Sequence, residues 1–289
     1  MGTDLNSLPS LVFLIIAVSC LFCHPTRANP TFLLRECEPE NTTSPTNATY
    51  QANLKILLSL LESNSTTPNG FYNLSTGSEA PNIVYGLFLC RGDVSTDICQ
   101  DCIAAGRQNL LKHCPKKEVG IVYYDECLLR YSNEYIFSTV TYDTSFVMRN
   151  VLNVSQSGFE QAVAETMNQT AAQAARGSEK KFATKKAKLT QINETLYTLA
   201  QCTPDLSSAD CGNCLQTSIN SLQLESKGSR VLGPSCGVRF ELYPFYFEAL
   251  VPPPTRPTSG EHRISTALVA ILVPIAVSAL FYTVFPQPF

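Results

Sequence analysis

The chain has 289 residues, of which 44% are hydrophobic and 16% are charged, with a formal net charge of -3. This length suits one or two domains. The small negative charge argues against a nucleic-acid-binding protein, and the apolar content argues against a disordered chain.

The N-terminus carries the pattern of a secretory signal peptide. An uncharged apolar run, Leu8–Cys23, is followed by the small-x-small sequence Thr26-Arg27-Ala28. The run is short for a membrane span and is followed by a well-placed cleavage site. It therefore predicts a signal peptide over residues 1–28.

The cysteines and the glycosylation motifs agree with secretion. Cleavage removes Cys20 and Cys23 from the 12 cysteines and leaves an even number, for which an oxidising compartment predicts disulfides. N-x-S/T motifs are used only in the secretory lumen. They occur at Asn41, Asn47, Asn64, Asn73, Asn153, Asn168 and Asn193.

The C-terminal region has the pattern of a membrane anchor. Residues 264–285 form an uncharged apolar run that is long enough to cross a bilayer as a helix. The Pro-rich residues 251–263 before it predict an extended stalk. We expect a single-pass type I protein of the plasma membrane with its ectodomain in the apoplast. A GPI anchor on Ser259 or Gly260 is the alternative.

An internal repeat lies between the two ends. A C-x8-C-x2-C motif occurs twice, with shared Tyr, Asp and Ser positions around it. Its cysteines are Cys90, Cys99 and Cys102 in the first copy and Cys202, Cys211 and Cys214 in the second. A later cysteine, Cys127 or Cys236, completes each copy. The sequence therefore predicts two tandem domains.

The difference between the two copies indicates how the cysteines pair. Cys37 and Cys114 have no cysteine counterparts in the second copy, so we expect them to be bonded to each other. On a helix, side chains three residues apart have Cβ atoms about 5–6 Å apart, too far for the ~3.8 Å of a disulfide. Each C-x2-C pair is therefore split between two partners. The proposed bonds are Cys37–Cys114, Cys90–Cys99, Cys102–Cys127, Cys202–Cys211 and Cys214–Cys236.

Each copy also has the pattern of two helices and several strands. Apolar stripes predict a first helix around Tyr50–Leu61, and more weakly around Phe159–Met167, and a second helix after an N-cap at Ser95 or Ser207. Alternation predicts strands. The strand positions are Ile83, Tyr85, Leu87 and Leu89; Val119, Ile121 and Tyr123; and Val238, Phe240 and Leu242. We expect an α+β fold in which two helices pack on one face of an antiparallel sheet.

These motifs resemble the tandem ginkbilobin-homologous, stress-antifungal domains of plants. The C-x8-C-x2-C spacing, QCTPDLSSADC from Gln201 and GPSCGVRFELYPFY from Gly233 carry the resemblance. It implies units of two helices and five strands with the same three disulfides, one over residues 29–140 and one over residues 150–250. Such domains form the ectodomains of cysteine-rich receptor-like kinases, secreted cysteine-rich repeat proteins and plasmodesmata-located proteins.

The resemblance also implies a mannose-binding set. The set consists of an Asn next to the first cysteine, an Arg six residues before the last cysteine and a Glu five residues after it. The second copy supplies Asn150, Arg230 and Glu241, whereas the first copy departs with Glu38, Ile121 and Ser132. Carboxylate, guanidinium and amide groups suit sugar hydroxyls. An ordinary cross-strand ion pair between Arg230 and Glu241 is the competing interpretation.

The sequence was also searched for metal-binding residues, catalytic residues and charged surfaces. Disulfides account better than zinc for the C-x2-C pairs, so we expect no metal and no cofactor. The mature chain offers only His113 and His262 as a histidine base, so we expect no catalytic residue. No kinase motif follows the predicted span. The basic run from Arg176 to Lys188 is interpreted as a solvated surface, with an acidic polymer or lipid headgroups as the alternative partner.

We therefore expect a non-enzymatic, cell-surface receptor-like protein in plant stress or defence signalling. Its partners would be an extracellular glycan or protein ligand, the membrane through its C-terminal helix, and a co-receptor kinase, but no nucleic acid. One alternative is a secreted or GPI-anchored antifungal, lectin-like defence protein. The other is a plasmodesmal adhesion protein.

Overall fold

The computed structural model describes residues 29–37, 47–141, 145–177, 179–190 and 192–251. The predicted signal peptide, nearly all of the stalk and the whole predicted span lie outside these residues, as do Asn41 and Glu38. Among the described residues, no helix combines the length and the apolar character that a membrane crossing requires.

The first domain is a five-stranded antiparallel sheet with two helices, as expected. The spatial order of its strands is β1-β4-β5-β3-β2, so β1 and β2 are the edge strands. In chain order its elements are β1 (Phe32–Cys37), α1 (Ala48–Ser63), β2 (Phe71–Thr76), β3 (Val84–Cys90), α2 (Thr96–His113), β4 (Gly120–Tyr124) and β5 (Cys127–Ser132).

The second domain repeats this topology in the order β6-β9-β10-β8-β7. Its elements are β6 (Phe146–Arg149), α3 (Phe159–Arg176), β7 (Phe182–Leu189), β8 (Glu194–Cys202), α4 (Ser208–Asn220), β9 (Gly228–Leu232) and β10 (Cys236–Glu241), followed by a short 3-10 helix (Glu248–Leu250). The second sheet thus starts at Phe146, before the predicted domain boundary at residue 150. The strand β6 is a short edge strand with mostly exposed side chains, so it has no clear alternation.

The helices begin and face the core where the sequence predicts. The Ser95 and Ser207 side chains accept hydrogen bonds from the backbone N–H groups of Ile98 and Asp210, which caps α2 and α4. The predicted stripe of α1 is buried against its sheet. Its residues are Tyr50, Leu54, Leu57, Leu58 and Leu61. The N-cap residue of α3 is Gly158, which has no side chain to cap the helix, and this agrees with its weaker pattern.

The predicted alternating positions of β3 lie on the face of the strand that is turned away from the helices. Tyr85, Leu87 and Leu89 share one side of the strand, but the helix-side core contains Val84 and Phe88 from the opposite side. Both faces of β3 carry apolar residues because both are covered, one by the helices and the other by later parts of the chain. Period-two alternation cannot show which of two buried faces meets the helices.

The segment that follows the last strand of each domain folds back over the outer face of its own sheet. In the first domain the Phe137 ring lies 5.7 Å from the ring of Tyr85, and in the second the Tyr246 ring lies 6.0 Å from that of Tyr197. These four residues occupy equivalent positions in the two repeats. The two domains therefore share the fold-back as well as the sheet and helices.

Among the described residues, five disulfides join the predicted pairs, and both cysteines of each C-x2-C have partners outside their helix. The bonds are Cys37–Cys114, Cys90–Cys99, Cys102–Cys127, Cys202–Cys211 and Cys214–Cys236. In each domain one bond ties the second helix to the strand before it and another ties it to the last strand. In the described part of the chain, a third bond occurs in the first domain alone, from the end of β1 to the C-cap of α2.

Loss of this third bond should weaken the first domain without unfolding it, because the second domain folds with two bonds. We expect Cys37→Ser/Cys114→Ser to lower the free energy of unfolding by about 2–4 kcal/mol in urea titrations of the purified protein. The control, Cys102→Ser/Cys127→Ser, removes a bond whose cysteines are both in the core and should cost more. An equal or smaller loss in the control would contradict this ranking.

Candidate functional site at the domain interface

The two domains meet at a carboxylate that is shared by three arginines. Asp125 lies in the turn between β4 and β5 of the first domain. Its Oδ1 accepts hydrogen bonds from Nη1 of Arg230 (2.7 Å) and Nη1 of Arg239 (2.9 Å), and its Oδ2 accepts one from Nη1 of Arg91 (3.0 Å). Arg91 belongs to the first domain, whereas Arg230 and Arg239 stand opposite each other on β9 and β10 of the second. One side chain thus bridges the two sheets.

The arginines keep this half-buried carboxyl ionised. Burial by itself would raise the pKa of Asp125, but the charges of Arg239, Arg91 and Arg230 outweigh it and hold the pKa below its ordinary value. Burial and the adjacent Arg239 lower the pKa of Arg230, and Asp125 opposes both effects. The two arginines of the second domain therefore need the carboxylate of the first.

Two further carboxylates complete the network. Asp93 is fully buried and accepts two hydrogen bonds from the Arg91 guanidinium, at 2.6 Å and 2.9 Å. Glu241 accepts one from Nε of Arg239 at 3.0 Å, and the Arg239 guanidinium lies 4.1 Å from the ring centroid of Phe245. Three cations and three anions thus offset one another, so the charges cost less to bury than they would singly.

A reciprocal pair of hydrogen bonds holds the domains on either side of this network. The Asp93 carboxylate accepts from the backbone N–H of Phe247 at 2.8 Å, and the Asp205 carboxylate accepts from the backbone N–H of Ser138 at 2.7 Å. Asp93 and Asp205 are equivalent in the two repeats, and so are Phe247 and Ser138. Each domain thus holds the segment that follows the last strand of the other, which gives the interface an approximate two-fold character.

Next to the shared carboxylate, the backbone of Gly92 in the first domain packs closely against side chains of the second domain. The backbone N–H of Gly92 donates to the Gln201 side chain (3.2 Å), which in turn donates to the carbonyl of Cys90 (3.0 Å). A Cβ atom at residue 92 would lie 2.3 Å from Cγ of Phe182. Only glycine leaves room for this ring, so this position contributes to the fit of the two domains.

The cavity at the interface is small and partly open to solvent. It has a volume of about 100 Å³ and is lined by Asp125 and its three arginines together with apolar residues of both domains, among them Leu89 and Leu199. Pockets for small ligands usually have about 300–1,000 Å³. The cavity is therefore too small to take up a sugar, and a ligand would bind at its rim.

The three residues of the predicted mannose set surround Gly228. The backbone N–H of Asn150 donates to the Gly228 carbonyl at 2.8 Å, and Glu241 pairs with Gly228 across the sheet. Arg230 follows two residues later on the same strand. The competing interpretation, an ion pair between Arg230 and Glu241, is replaced by the pairs of Arg230 with Asp125 and of Glu241 with Arg239.

The C-x2-C cysteines and the lysines of the basic run do not come together in a common site. Every cysteine of the C-x2-C motifs is in a disulfide, and the described residues include no group of side chains suited to hold a metal ion. The lysines of the basic run contact different parts of the second domain and the loop at Gly92. Those with a contact are Lys180 to the Gly92 carbonyl, Lys181 to the Gly177 carbonyl, Lys185 to Gln169 and Lys186 to Glu248.

Sequence reasoning missed the residues that join the domains, above all Asp125 and Arg239. The repeat contains part of the signal, because the Asp three residues after the first cysteine of the motif and the Tyr five residues before that cysteine recur in both copies. Asp125 has no such signal. Its partners on β9 and β10 lie more than 100 residues later in the chain.

Removal of the shared carboxylate should loosen the interface. Asp125→Asn leaves three arginines without their common anion, and we expect a loss of about 2 kcal/mol in the free energy of unfolding, below the value for a fully buried pair because Asp125 is partly exposed. The control, Glu126→Gln, changes a half-buried neighbour whose hydrogen bond from the Thr31 backbone N–H an amide oxygen can still accept, and it should alter stability by less than about 0.5 kcal/mol. Equal stability of the two variants would exclude this role of Asp125.

The lowered pKa of Asp125 predicts the pH below which its carboxylate no longer stabilises the interface. Because the pKa of Asp125 is lower in the folded than in the unfolded chain, its contribution is complete above the ordinary carboxyl pKa of about 3.9 and is lost as the pH falls through the lowered value. The difference in melting temperature between the wild type and Asp125→Asn should therefore be constant from pH 5 to 7 and shrink only below about pH 4. A difference that already shrinks between pH 7 and 5 would contradict the lowered pKa.

Comparisons with known proteins agree with this architecture. The salt stress response/antifungal family matches residues 36–134 and 148–243. Cysteine-rich receptor-like protein kinase 8 of Arabidopsis thaliana is 40% identical over 294 residues, which cover 94% of this chain and 43% of the relative. Putative cysteine-rich receptor-like protein kinase 9 of the same plant is 41% identical over 258 residues, which cover 87% of this chain and 96% of the relative.

A solved structure shows the same fold. The tandem DUF26 ectodomain of the Arabidopsis thaliana cysteine-rich receptor-like protein PDLP8 superposes with a TM-score of 0.59 at 20% identity, and the match covers 74% of this chain and 99% of that one. The chain spans less than half the length of several of its receptor-like kinase relatives. With both repeats matched, the chain belongs to the salt stress response/antifungal (DUF26) family, as a tandem-domain, cysteine-rich receptor-like member.

Proposed function

We propose that the chain acts at the plant cell surface as a non-enzymatic receptor-like protein whose paired domains bind an extracellular ligand. The observation that carries this proposal is the identity of about 40% to cysteine-rich receptor-like kinases over nearly the whole chain. The predicted signal peptide, disulfides and apolar C-terminal run support export and anchoring in the plasma membrane. Signalling would then depend on a partner such as a co-receptor kinase.

A mannose-type glycan is the ligand class that the site residues favour. Asn150, Arg230 and Glu241 carry an amide, a guanidinium and a carboxylate on residues that neighbour Gly228, and such groups match the donors and acceptors of a sugar. The Oδ1 atom of Asn150 also accepts a hydrogen bond from the backbone N–H of Leu152. Arg230 uses Nη1 for Asp125, and its side chain remains 18% exposed. A glycan at this rim would contact the same arginine that joins the domains, so binding and domain pairing would influence each other.

A lectin-like defence role is the second candidate, because the same three residues would serve it. The two roles differ in the consequence of ligand binding. An effector would inhibit fungal growth as a purified protein, whereas a receptor would instead be recovered with a kinase from plant membranes.

Binding of mannose and of mannose-terminated oligosaccharides can be measured with the purified protein by calorimetry. We expect Asn150→Ala and Glu241→Gln each to weaken binding at least about tenfold, the equivalent of one or two hydrogen bonds. Arg230→Ala should do the same, but it also breaks the interface. Asp125→Asn serves as its control because it loosens the interface and retains Arg230.

Unchanged affinity in the Asn150 and Glu241 variants would exclude this site. Equal losses in Arg230→Ala and Asp125→Asn would show that Arg230 acts only through the domain interface.

A further inference from the structure

Each sheet ends in edge strands whose outer backbone groups pair with no other described strand. These strands are β1 and β2 in the first domain and β6 and β7 in the second. An unprotected edge can pair with a strand of another molecule, and charged side chains are a common defence against such pairing. The edge strands therefore need some feature that prevents association.

Three of the four edge strands carry charged residues, and β2 does not. The charged positions are Arg35 and Glu36 on β1, Arg149 on β6, and Lys185, Lys186 and Lys188 on β7. The sequence of β2 is FYNLST, which combines aromatic and β-forming residues without Pro or charge. Such a segment on an exposed edge is prone to intermolecular pairing.

The same strand contains a glycosylation motif. Asn73 lies in the middle of β2, and Ser75 completes its N-x-S sequence. At the other described motifs the asparagine lies outside the named strands, although the Asn193 motif runs into the start of β8. The side chain of Asn73 is half-buried and makes no hydrogen bond to another described residue, so attachment of a sugar breaks no contact seen there. Phe71 shares its face of the strand and provides an apolar surface beside it.

We propose that an N-linked glycan on Asn73 blocks strand addition at the β2 edge and thereby keeps the ectodomain from associating through its first sheet. A bulky, strongly hydrated glycan in the middle of a six-residue strand prevents a second strand from approaching along its length. It replaces the charged residues that the other three edges possess. This inference rests on the proposed secretion of the chain, since only the secretory lumen attaches such glycans.

The test compares three variants of the full chain, expressed in a plant secretory host and purified in detergent. Glycopeptide mass spectrometry should show Asn73 occupied in the wild type. Asn73→Gln should associate, with at least a twofold increase in mass by light scattering. The matched control, Asn168→Gln, removes an exposed glycosylation asparagine on α3 and should retain the wild-type mass.

Asn73→Lys separates protection of the edge from an effect on folding. If the glycan acts by blocking the edge, a lysine in its place restores the usual charged defence and should return the mass to that of the wild type. Wild-type mass in Asn73→Gln, an unoccupied Asn73 beside occupied sites elsewhere, or misfolding of both Asn73 variants would each overturn the proposal. Absence of glycans from every motif would instead contradict the proposed secretion.

Discussion

The arrangement of the two domains depends on the three arginines that share the carboxylate of Asp125. Two of them come from neighbouring strands of the second domain, where their positive charges would repel each other without an anion between them. The first domain supplies that anion from a turn between two strands. The free-energy cost of burying the charged side chains on the outer face of either sheet is therefore low only when the two domains are packed together.

The internal repeat explains why the interface is reciprocal. Because both copies keep the Asp after their first motif cysteine and a segment that folds back after the last strand, each domain can hold the fold-back of the other. The shared carboxylate breaks this symmetry, since its arginines on β9 and β10 have no equivalent pair in the first domain, where Ile121 stands opposite Arg130. The residues in which the copies differ are thus the ones around which the proposed ligand site is built.

Local features of the fold were predictable because short-range chemistry determines them. The caps at Ser95 and Ser207 and the stripe of α1 follow from spacing along a helix, and the division of each C-x2-C pair between two partners follows from helix geometry. The helix-facing side of β3 and the start of β6 were not predictable in this way. The strand β3 is buried on both faces, and β6 is an exposed edge with four residues.

The candidate site was predictable only in part. Arg230 and Glu241 could be identified from the family resemblance, but their partners could not, because Asp125 and Arg239 meet through a contact between domains. A repeat indicates that two similar units exist and does not specify which of their faces meet. The packing of the two outer faces therefore had to come from the structure.

The central claim, that the interface makes the tandem domains one unit, is tested most directly by calorimetric unfolding. The domains differ in their number of disulfides and should differ in intrinsic stability. If the network around Asp125 couples the two domains, they unfold together in a single transition whose calorimetric and van't Hoff enthalpies agree. Two separated transitions in the wild-type protein at neutral pH would show that the domains unfold independently and would contradict this account.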